Sequence, residues 1–348
     1  MLPQKLWRRP TLPLVLCRRN FNTYQMKLRA LLLIFTLIFS AVSPARAENP
    51  SAKVAVAYDI GFLGDNSFND AVNEALVTAK KKYNLVEPFI REVPTNGSAV
   101  DRLSRLRFLA QNGYNLVIAV GSGYRETVRR VSMEYPDIQF ALINDKAIGQ
   151  MNVSNIYFRE DHGAYLSGVI AATFSKKKSI GFIGSDPDLF VSFSAGARAI
   201  SKTIRVVNIA YPDSLAALKS GLGKIDVGYS TWDGDATVLT TVLDGYAKKV
   251  KLIVERPDQY FSELNSAQSV ILASINKNLT RPIDQLVGAA LAQRSIIDVV
   301  DEKEGIYGRE YSLRNRGVSF TMNAPISSTQ RARINLEIKK FLANPKSK

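Results

Sequence analysis

The residues from 58 to 70 carry the densest binding chemistry of the chain, and they follow directly on an apolar strand predicted at residues 53–58. The side chains that offer hydrogen bonds are those of Asp59, Asp65, Asn66, Ser67 and Asn69, and Phe68 adds an aromatic face. Because ligands of open α/β sheets bind at the carboxyl ends of the strands, this stretch is a candidate binding loop. The alternative is an ordinary polar connection in which Asn69 or Asp70 caps a helix predicted at residues 71–83.

Side chains suited to catalysis are scarce. The chain has one histidine, His162, which we interpret as a surface or capping residue in the first turn of a helix. Its one cysteine is Cys17, so the chain beyond that residue offers no thiol nucleophile, disulfide or cysteine metal site. Neither a Gly-x-Ser-x-Gly elbow nor a glycine-rich phosphate loop occurs. We therefore predict a protein that is not an enzyme and uses no metal and no cofactor, although paired carboxylates cannot be judged from sequence.

The net charge of +15 is concentrated at the start of the chain, where residues 1–47 hold eight basic residues and no acidic one. Without these, 38 basic residues stand against 31 acidic ones, which leaves a net charge of +7. In the sequence this excess forms no obvious basic stripe with interleaved aromatic residues. We therefore predict mild surface basicity and no nucleic-acid partner.

Residues 1–47 have the features of an export signal. A short basic segment at residues 26–29 precedes an apolar run at residues 30–42 and the small-x-small pattern Ala45-Arg-Ala47. The run is shorter than the roughly 20 residues that span a bilayer, so we predict cleavage after Ala47, with Met26 as the natural start. A retained anchor is the alternative. Because no cysteine follows Ala47 for lipid attachment, we expect a periplasmic protein.

Strand and helix patterns alternate along the rest of the chain, which predicts parallel sheets. In the first half, strands are predicted at residues 53–58, 87–93, 116–120 and 139–143, with helices at 71–83, 99–111 and 124–135 between them. The polar segments that follow these strands, at residues 59–69, 121–124 and 144–145, are expected to meet on one sheet edge.

The second half repeats this alternation. Helices are predicted at residues 160–174, 190–204, 216–222 and 238–247, and strands at 179–183, 205–209, 226–229 and 250–254. The last hundred residues contain a predicted strand at 269–273, a helix at 283–292, a hairpin at 311–320 and a closing helix at 331–342. Two similar α/β lobes that face one another across a ligand cleft are the simplest arrangement.

Several motifs occur together in a characteristic order. They lie at residues 58–69, 119–121, 140–144, 158–168, 180–184, 257–259, 271–277 and 311–318. With them, the chain from Lys53 to about Phe320 resembles the basic membrane protein family, the purine-nucleoside receptors of ABC importers. The resemblance implies a type I periplasmic binding protein fold, with two doubly wound lobes joined by a hinge. The N-terminal lobe would hold residues 51–158 plus about 278–310, and the C-terminal lobe residues 159–277 plus about 311–348.

The resemblance also implies roles for single residues. Asp59 would bond the ligand, while Phe68 and Tyr211 would stack on the two faces of a purine. Asn144 or Asp145 would read the edge of the base, and Lys277 would help to hold the sugar; without the resemblance, Lys277 is interpreted as a solvated surface lysine. The full set of predicted ligand-binding residues is Asp59, Ser67, Phe68, Asn69, Gly121, Asn144, Asp145, Tyr211, Trp232, Glu255, Arg256 and Lys277.

The chain departs from the family pattern at the predicted sugar site. Arg256 stands where the family has the acid that grips the ribose hydroxyls, and Glu255 could substitute for that acid. A guanidinium group would favour a ligand with a carboxylate or phosphate. Trp232 also occupies a loop that is normally small and rich in glycine.

These observations predict an exported, monomeric receptor that binds a nucleoside or related small ligand between its lobes and delivers it to an ABC permease in the inner membrane. A sensor that feeds a membrane signalling protein is one alternative. A nucleoside-processing enzyme is the other, and the scarcity of catalytic side chains disfavours it.

Overall fold

The computed structural model describes residues 52–60, 62–65, 67–211, 213–231, 236–258 and 265–344. The predicted export signal and Trp232 lie outside these ranges. The strands are β1 (Val54–Ala57), β2 (Ile90–Val93), β3 (Leu116–Val120), β4 (Gln139–Ile143), β5 (Val153–Phe158), β6 (Ser179–Ile183), β7 (Arg205–Ile209), β8 (Val227–Ser230), β9 (Lys251–Arg256), β10 (Ile271–Lys277), β11 (Asp298–Asp301), β12 (Ile306–Tyr311) and β13 (Val318–Met322). The helices are α1 (Phe68–Tyr83), α2 (Ala99–Gln111), α3 (Arg125–Glu134), α4 (Glu160–Phe174), α5 (Pro187–Ile200), α6 (Leu215–Lys224), α7 (Thr237–Gly245), α8 (Thr280–Leu291) and α9 (Ser328–Ala343).

The strands form two sheets. The first has the order β11-β12-β5-β4-β3-β1-β2, and its pairs are parallel except for that between β11 and β12. The second has the order β13-β10-β9-β8-β6-β7, and its pairs are parallel except for that between β13 and β10. Strands such as β1, β3 and β6 are buried along their whole length, as continuous apolar runs covered by helices on both faces require.

The sequence patterns placed several elements at their observed bounds, among them β3, β4, α2 and α4. The hairpin predicted at residues 311–320 is wrong. Its first residue, Tyr311, ends β12, which pairs with β5 in the first sheet, and its last three residues begin β13, which pairs with β10 in the second sheet. Residues 312–317 therefore connect the two sheets. The partner strands β5 and β10 lie too far away in the sequence for this pairing to be visible locally.

The helices of the second sheet pack closely on one another. A Cβ atom at Gly196 of α5 would lie 2.8 Å from the backbone carbonyl carbon of Tyr165 in α4, so only glycine permits this approach. His162, in the first turn of α4, is 1% exposed and makes an edge-to-face contact with Phe341 of α9, at 4.9 Å between ring centroids. The interpretation of His162 as a surface residue is therefore wrong, because α9 covers the start of α4.

No helix in the described part of the chain is both long and apolar enough to span a bilayer. The proposed lobe boundaries near residues 158, 278 and 310 stay a prediction. The chain passes from one sheet to the other between β5 and β6, between β10 and β11, and between β12 and β13.

Candidate functional site

Most of the predicted site residues lie at carboxyl ends of strands. Asp59 follows β1 and Gly121 follows β3 in the first sheet, and Asn144 and Asp145 follow β4. In the second sheet Tyr211 follows β7, Glu255 and Arg256 end β9, and Lys277 ends β10. Ser67 occupies the N-cap position of α1, the helix that follows β1, without a side-chain capping bond, and Phe68 and Asn69 lie in the first turn of this helix.

The loop after β1 is held together by its own polar side chains. The carboxylate of Asp65 accepts hydrogen bonds from the backbone N–H groups of Ser67 (2.9 Å), Asn69 (3.1 Å) and Asp70 (3.2 Å). Asp65 therefore satisfies the amino end of α1, and the expectation that Asn69 or Asp70 does so is wrong. Asp70 instead accepts from the N–H of Gly64 at 2.7 Å.

Asn69 is 2% exposed, and its amide joins the start of α1 to the end of β1. Its Oδ1 accepts from the N–H of Asp59 at 3.3 Å, and its Nδ2 donates to the carbonyls of Asp59 (3.3 Å) and Ile60 (3.2 Å). Both ends of the amide are thus engaged with backbone. This arrangement fixes Asp59 and Phe68 relative to one another.

Asp59 is paired with Arg102 of α2. Its Oδ1 accepts from Arg102 Nε at 3.1 Å and from Arg102 Nη2, and also from the N–H of Ile60 at 2.8 Å. The guanidinium lies 5.5 Å from the ring centroid of Tyr124 and donates through Nη1 to the carbonyl of Gly97 at 2.8 Å. Arg102 thereby fixes the orientation of the Asp59 carboxylate.

Glycines give this pair the space it occupies. Gly121 has a φ of +90°, and a Cβ there would lie 3.3 Å from Asp59 Oδ2. A Cβ at Gly123 would lie 2.8 Å from Arg102 Nη2. The lack of a side chain at Gly121 therefore leaves room for the Asp59 carboxylate.

Asp145 is 4% exposed and pairs with Arg125 of α3. Its Oδ2 accepts from Nε at 2.8 Å and from Nη2 at 2.6 Å, while its Oδ1 accepts from the N–H of Ala147 at 2.8 Å. Asn144 has a φ of +61°, and its Nδ2 donates to Glu160 Oε1 at 3.4 Å. The two neighbouring candidates thus face different partners, and Asn144 is the one connected to Lys277 through Glu160.

Lys277 is the centre of a buried charge cluster. Its ammonium lies 2.6 Å from Glu160 Oε1, 2.8 Å from Asp258 Oδ1 and 3.6 Å from Glu255 Oε2. Glu255 also accepts a hydrogen bond from the hydroxyl of Tyr229. With 6% exposure, Lys277 is not the solvated surface lysine that the sequence alone suggested.

Burial and charge act in opposite directions in this cluster. Burial alone would lower the pKa of Lys277, but the carboxylates of Asp258, Glu160 and Glu255 raise it well above its ordinary value. Burial raises the pKa of Glu255 to about 8, against the attraction of Lys277. Burial would also raise the pKa of Glu160, but Lys277 and a hydrogen bond from Asn144 lower it. The carboxylates thus favour the charged form of Lys277, while burial favours the protonated form of Glu255.

The start of α1 touches this cluster. The ammonium of Lys277 lies 5.5 Å from the ring centroid of Phe68, and the hydroxyl of Ser67 donates to the carbonyl of Asp258 at 3.4 Å. These contacts join the binding loop of the first sheet to the strand ends of the second. The structure thus brings Ser67 and Phe68 together with Lys277, as a site between the two sheets requires.

Two further candidates lie at strand ends of the second sheet. Tyr211 is 5% exposed and packs in the apolar cluster of the second sheet with Ile209 and Leu218. Arg256 is half-buried at the end of β9 and lines a cavity of about 230 Å³ together with Lys277, Glu74 and other residues of α1, β10 and α8.

Sequence reasoning missed the residues that neutralise the site. Arg102 and Arg125 lie on helices and read as ordinary surface cations, and only the fold places them at the ends of β1 and β4. Asp258 and Glu160 lie within the family motifs but were not predicted as ligand-binding residues. A signal existed for Asp258, which lies two residues beyond the position where an acid was expected.

Comparison with known proteins shows similarity to substrate-binding proteins of ABC transporters over part of the chain. Residues 52–216 match the family model described as ABC transporter substrate-binding protein PnrA-like. Over 205 residues the chain is 32% identical to "Basic membrane protein A1" of Borrelia garinii subsp. bavariensis, which covers 56% of this chain and 58% of that protein. Over 174 residues it is 29% identical to "ABC transporter nucleoside-binding protein BmpA" of Lactococcus lactis subsp. cremoris, which covers 49% of each. The chain thus spans about half the length of these curated relatives.

Solved structures agree on the fold. An ABC transporter solute-binding protein from Conexibacter woesei superposes with a TM-score of 0.65 at 18% identity, covering 84% of this chain and 97% of that one. A transcriptional activator of the comK gene from Bacillus halodurans gives a TM-score of 0.66, also at 18% identity, covering 84% and 98%. The predicted two-lobed type I periplasmic binding protein fold is confirmed.

Proposed function

We propose, from the membership of residues 52–216 in the PnrA-like family of ABC transporter substrate-binding proteins, that the chain is an exported receptor that binds a purine nucleoside or a related small molecule. It would release this ligand to an ABC permease and carry out no chemistry on it. The relative from Lactococcus is named as a nucleoside-binding protein, which supports this class of ligand.

The observation that carries the proposal is the meeting of Phe68 with the Lys277 cluster. An aromatic ring and hydrogen-bonding charges are the two features that a nucleoside requires, one for the flat base and the other for the sugar hydroxyls. Here they come from different sheets and lie in contact, with 5.5 Å between the ring centroid of Phe68 and the ammonium of Lys277. A ligand at this junction would touch both lobes, and its binding energy would favour the closed arrangement.

Each charged group of the site is assigned, in this proposal, to one part of the ligand. The carboxylate of Asp59, oriented by Arg102, would accept a hydrogen bond from an N–H of the base. Asp258 and Lys277 would bond the sugar hydroxyls, so Asp258 would supply the carboxylate that the family pattern expects at the position of Arg256. Tyr211 would close over the second face of the base. Arg256 would extend the choice of ligand to one with an anionic group.

Small molecules that co-purify with the protein provide the most direct test. The protein is unfolded after purification, and the released compounds are identified by mass spectrometry. Isothermal titration then measures binding of adenosine, guanosine, inosine, their free bases and a nucleoside 5′-monophosphate to the ligand-free protein. We expect at least one nucleoside to bind with micromolar or better affinity, and absence of binding below millimolar concentrations would refute the proposal.

Two further measurements test export and the absence of catalysis. N-terminal sequencing of protein from the periplasmic fraction should begin at Glu48, one residue after the predicted cleavage site. Incubation with an excess of nucleoside should leave the compound unchanged. Accumulation of free base would instead indicate a nucleoside-processing enzyme.

A further inference from the structure

The amino ends of the strands of the second sheet, which lie opposite the carboxyl ends that carry the candidate site, bear a dense group of basic side chains. They occur just before or at the first residue of four strands. All nine are exposed: Lys176, Lys177 and Lys178 at β6, Lys202 and Arg205 at β7, Lys224 at β8, and Lys248, Lys249 and Lys251 at β9. We refer to these nine residues as the basic edge.

The topology turns these separate segments into one surface. Strands β9, β8, β6 and β7 are neighbours in this order and run parallel, so their first residues share one edge of the sheet. With neighbouring strands roughly 4.8 Å apart, the amino ends span about 15 Å. The nine basic residues come from four different connections, so the sequence shows no basic stripe. Only the fold brings them together.

Few negative charges oppose the basic edge. Asp226, at the start of β8, accepts from the hydroxyl of Ser175 at 2.6 Å and from the N–H groups of Lys176 (2.7 Å) and Lys177 (2.8 Å). Asp244 is exposed near the end of α7. Within the described ranges, none of the nine basic side chains forms a salt bridge, so the basic edge keeps a large excess of positive charge.

The composition of the basic edge distinguishes between anionic partners. Eight of its nine members are lysines, which act as strongly hydrated point charges and do not offer the bidentate fork of arginine. Nucleic-acid surfaces add exposed aromatic rings for stacking. Here the nearby Tyr246 is half-buried against the apolar cluster and donates its hydroxyl to the carbonyl of Lys219 at 2.9 Å. Lysine clusters without aromatic rings fit the diffuse charge of anionic lipid headgroups.

We propose that the basic edge holds the protein against a membrane surface that contains anionic phospholipids. Strand β9 runs from Lys251 at this edge to Arg256 at the opposite one, so lipid contact leaves the strand ends with the candidate site uncovered. The contact is electrostatic, and it weakens with salt because the screening length is about 10 Å at 0.1 M ionic strength. This inference does not depend on the identity of the ligand.

Vesicle co-sedimentation tests the proposal. The protein is used in the form that accumulates in the producing cell, and its N-terminus is identified by sequencing. Vesicles of phosphatidylcholine alone are compared with vesicles that also contain phosphatidylglycerol. We expect binding only to the anionic vesicles, and weaker binding as sodium chloride is raised. The triple variant Lys202→Ala, Lys248→Ala, Lys249→Ala should bind about 100-fold more weakly, at roughly five-fold for each lysine removed.

A second triple variant provides the matched control. Lys81→Ala, Lys303→Ala and Lys339→Ala remove three exposed lysines that lie away from the basic edge, with the same change in net charge. The control should bind anionic vesicles like the wild type. Equal losses in the two triples, or no binding to anionic vesicles at low salt, would overturn the proposal. Tighter binding to a short DNA duplex than to the anionic vesicles would overturn it as well.

Discussion

The ring centroid of Phe68 lies 5.5 Å from the ammonium nitrogen of Lys277, although one residue begins a helix of the first sheet and the other ends a strand of the second. The contact of Ser67 with the carbonyl of Asp258 also joins the first sheet's binding loop to the second sheet. An ammonium group over an aromatic face is attracted by about 0.5–2 kcal/mol, depending on burial. Lys277 thus occupies one face of the Phe68 ring, and a stacked ligand would use the other face.

Phe68→Ala should weaken nucleoside binding at least about ten-fold, because it removes both the stacking face and the apolar area that the base would bury. Isothermal titration measures the loss. Phe108→Ala is the control, since Phe108 is a partly exposed ring on α2, in contact with Arg91 and remote from the site. If Phe68→Ala binds as tightly as the wild type, Phe68 does not stack on the ligand.

Lys277→Met should lower the free energy of unfolding by about 3–5 kcal/mol near pH 8, because it leaves buried carboxylates without their cation. The loss should be smaller near pH 5, where a proton can replace the missing positive charge on the carboxylates. Urea unfolding at both pH values measures it. The exposed residue Lys81 gives the control variant Lys81→Met, for which we expect a change within about 0.5 kcal/mol. Similar changes in the two variants would show that the cluster contributes little to stability.

The sequence alone revealed those parts of the fold that local patterns determine. Continuous apolar runs such as β3 and β4 were predicted at their observed bounds, because a strand buried on both faces needs no neighbour to be recognised. Strands β5 and β11 were missed, because the polar residues Ser154 and Asn155 interrupt the apolar pattern of β5 and the residues of β11 are partly charged and exposed. The false hairpin at residues 311–320 arose because pairing between strands is decided by tertiary contacts.

The candidate site was accessible to sequence reasoning only in part. A loop that follows a strand and combines glycines with polar side chains is visible locally, and Asp59 and Phe68 lie in it, but their separate roles came from the family resemblance. The environment of each side chain was not visible. Nothing local shows that Arg102 reaches Asp59, or that Lys277 lies among Glu160, Asp258 and Glu255.

Glu255→Gln should remove one pH dependence of stability. Burial raises the pKa of Glu255 to about 8, with Asp258 and Glu160 adding to the rise while Lys277 and Tyr229 oppose it. In the unfolded chain the pKa of a glutamate is about 4.3. Between about pH 4.3 and 8 the native state therefore binds more protons than the unfolded state, and the wild type loses stability as pH rises. Glutamine stays neutral. The free energy of unfolding of the variant should therefore rise relative to that of the wild type between about pH 4.5 and 8. Above this range the difference between the two proteins should stay constant.

Urea unfolding of both proteins at about pH 5, 6.5 and 8 measures this difference. Glu302→Gln is the control, because Glu302 is exposed and its replacement should give a difference that is constant over the same range. A constant difference for Glu255→Gln as well would mean that Glu255 is ionised in the native protein throughout.

Gly123→Ala should weaken ligand binding while the protein stays folded. The added Cβ would lie 2.8 Å from Arg102 Nη2, so the ion pair between Arg102 and Asp59 must shift. A displaced carboxylate loses a charged hydrogen bond to the ligand, which corresponds to about 1.5–3 kcal/mol, or a ten- to hundred-fold loss of affinity. Isothermal titration with the nucleoside that binds best measures the loss, and thermal unfolding checks the fold. Gly245→Ala is the matched control, since its Cβ meets no atom within 4 Å, and it should bind like the wild type. If Gly123→Ala also keeps wild-type affinity, the orientation that Arg102 gives Asp59 has no part in ligand recognition.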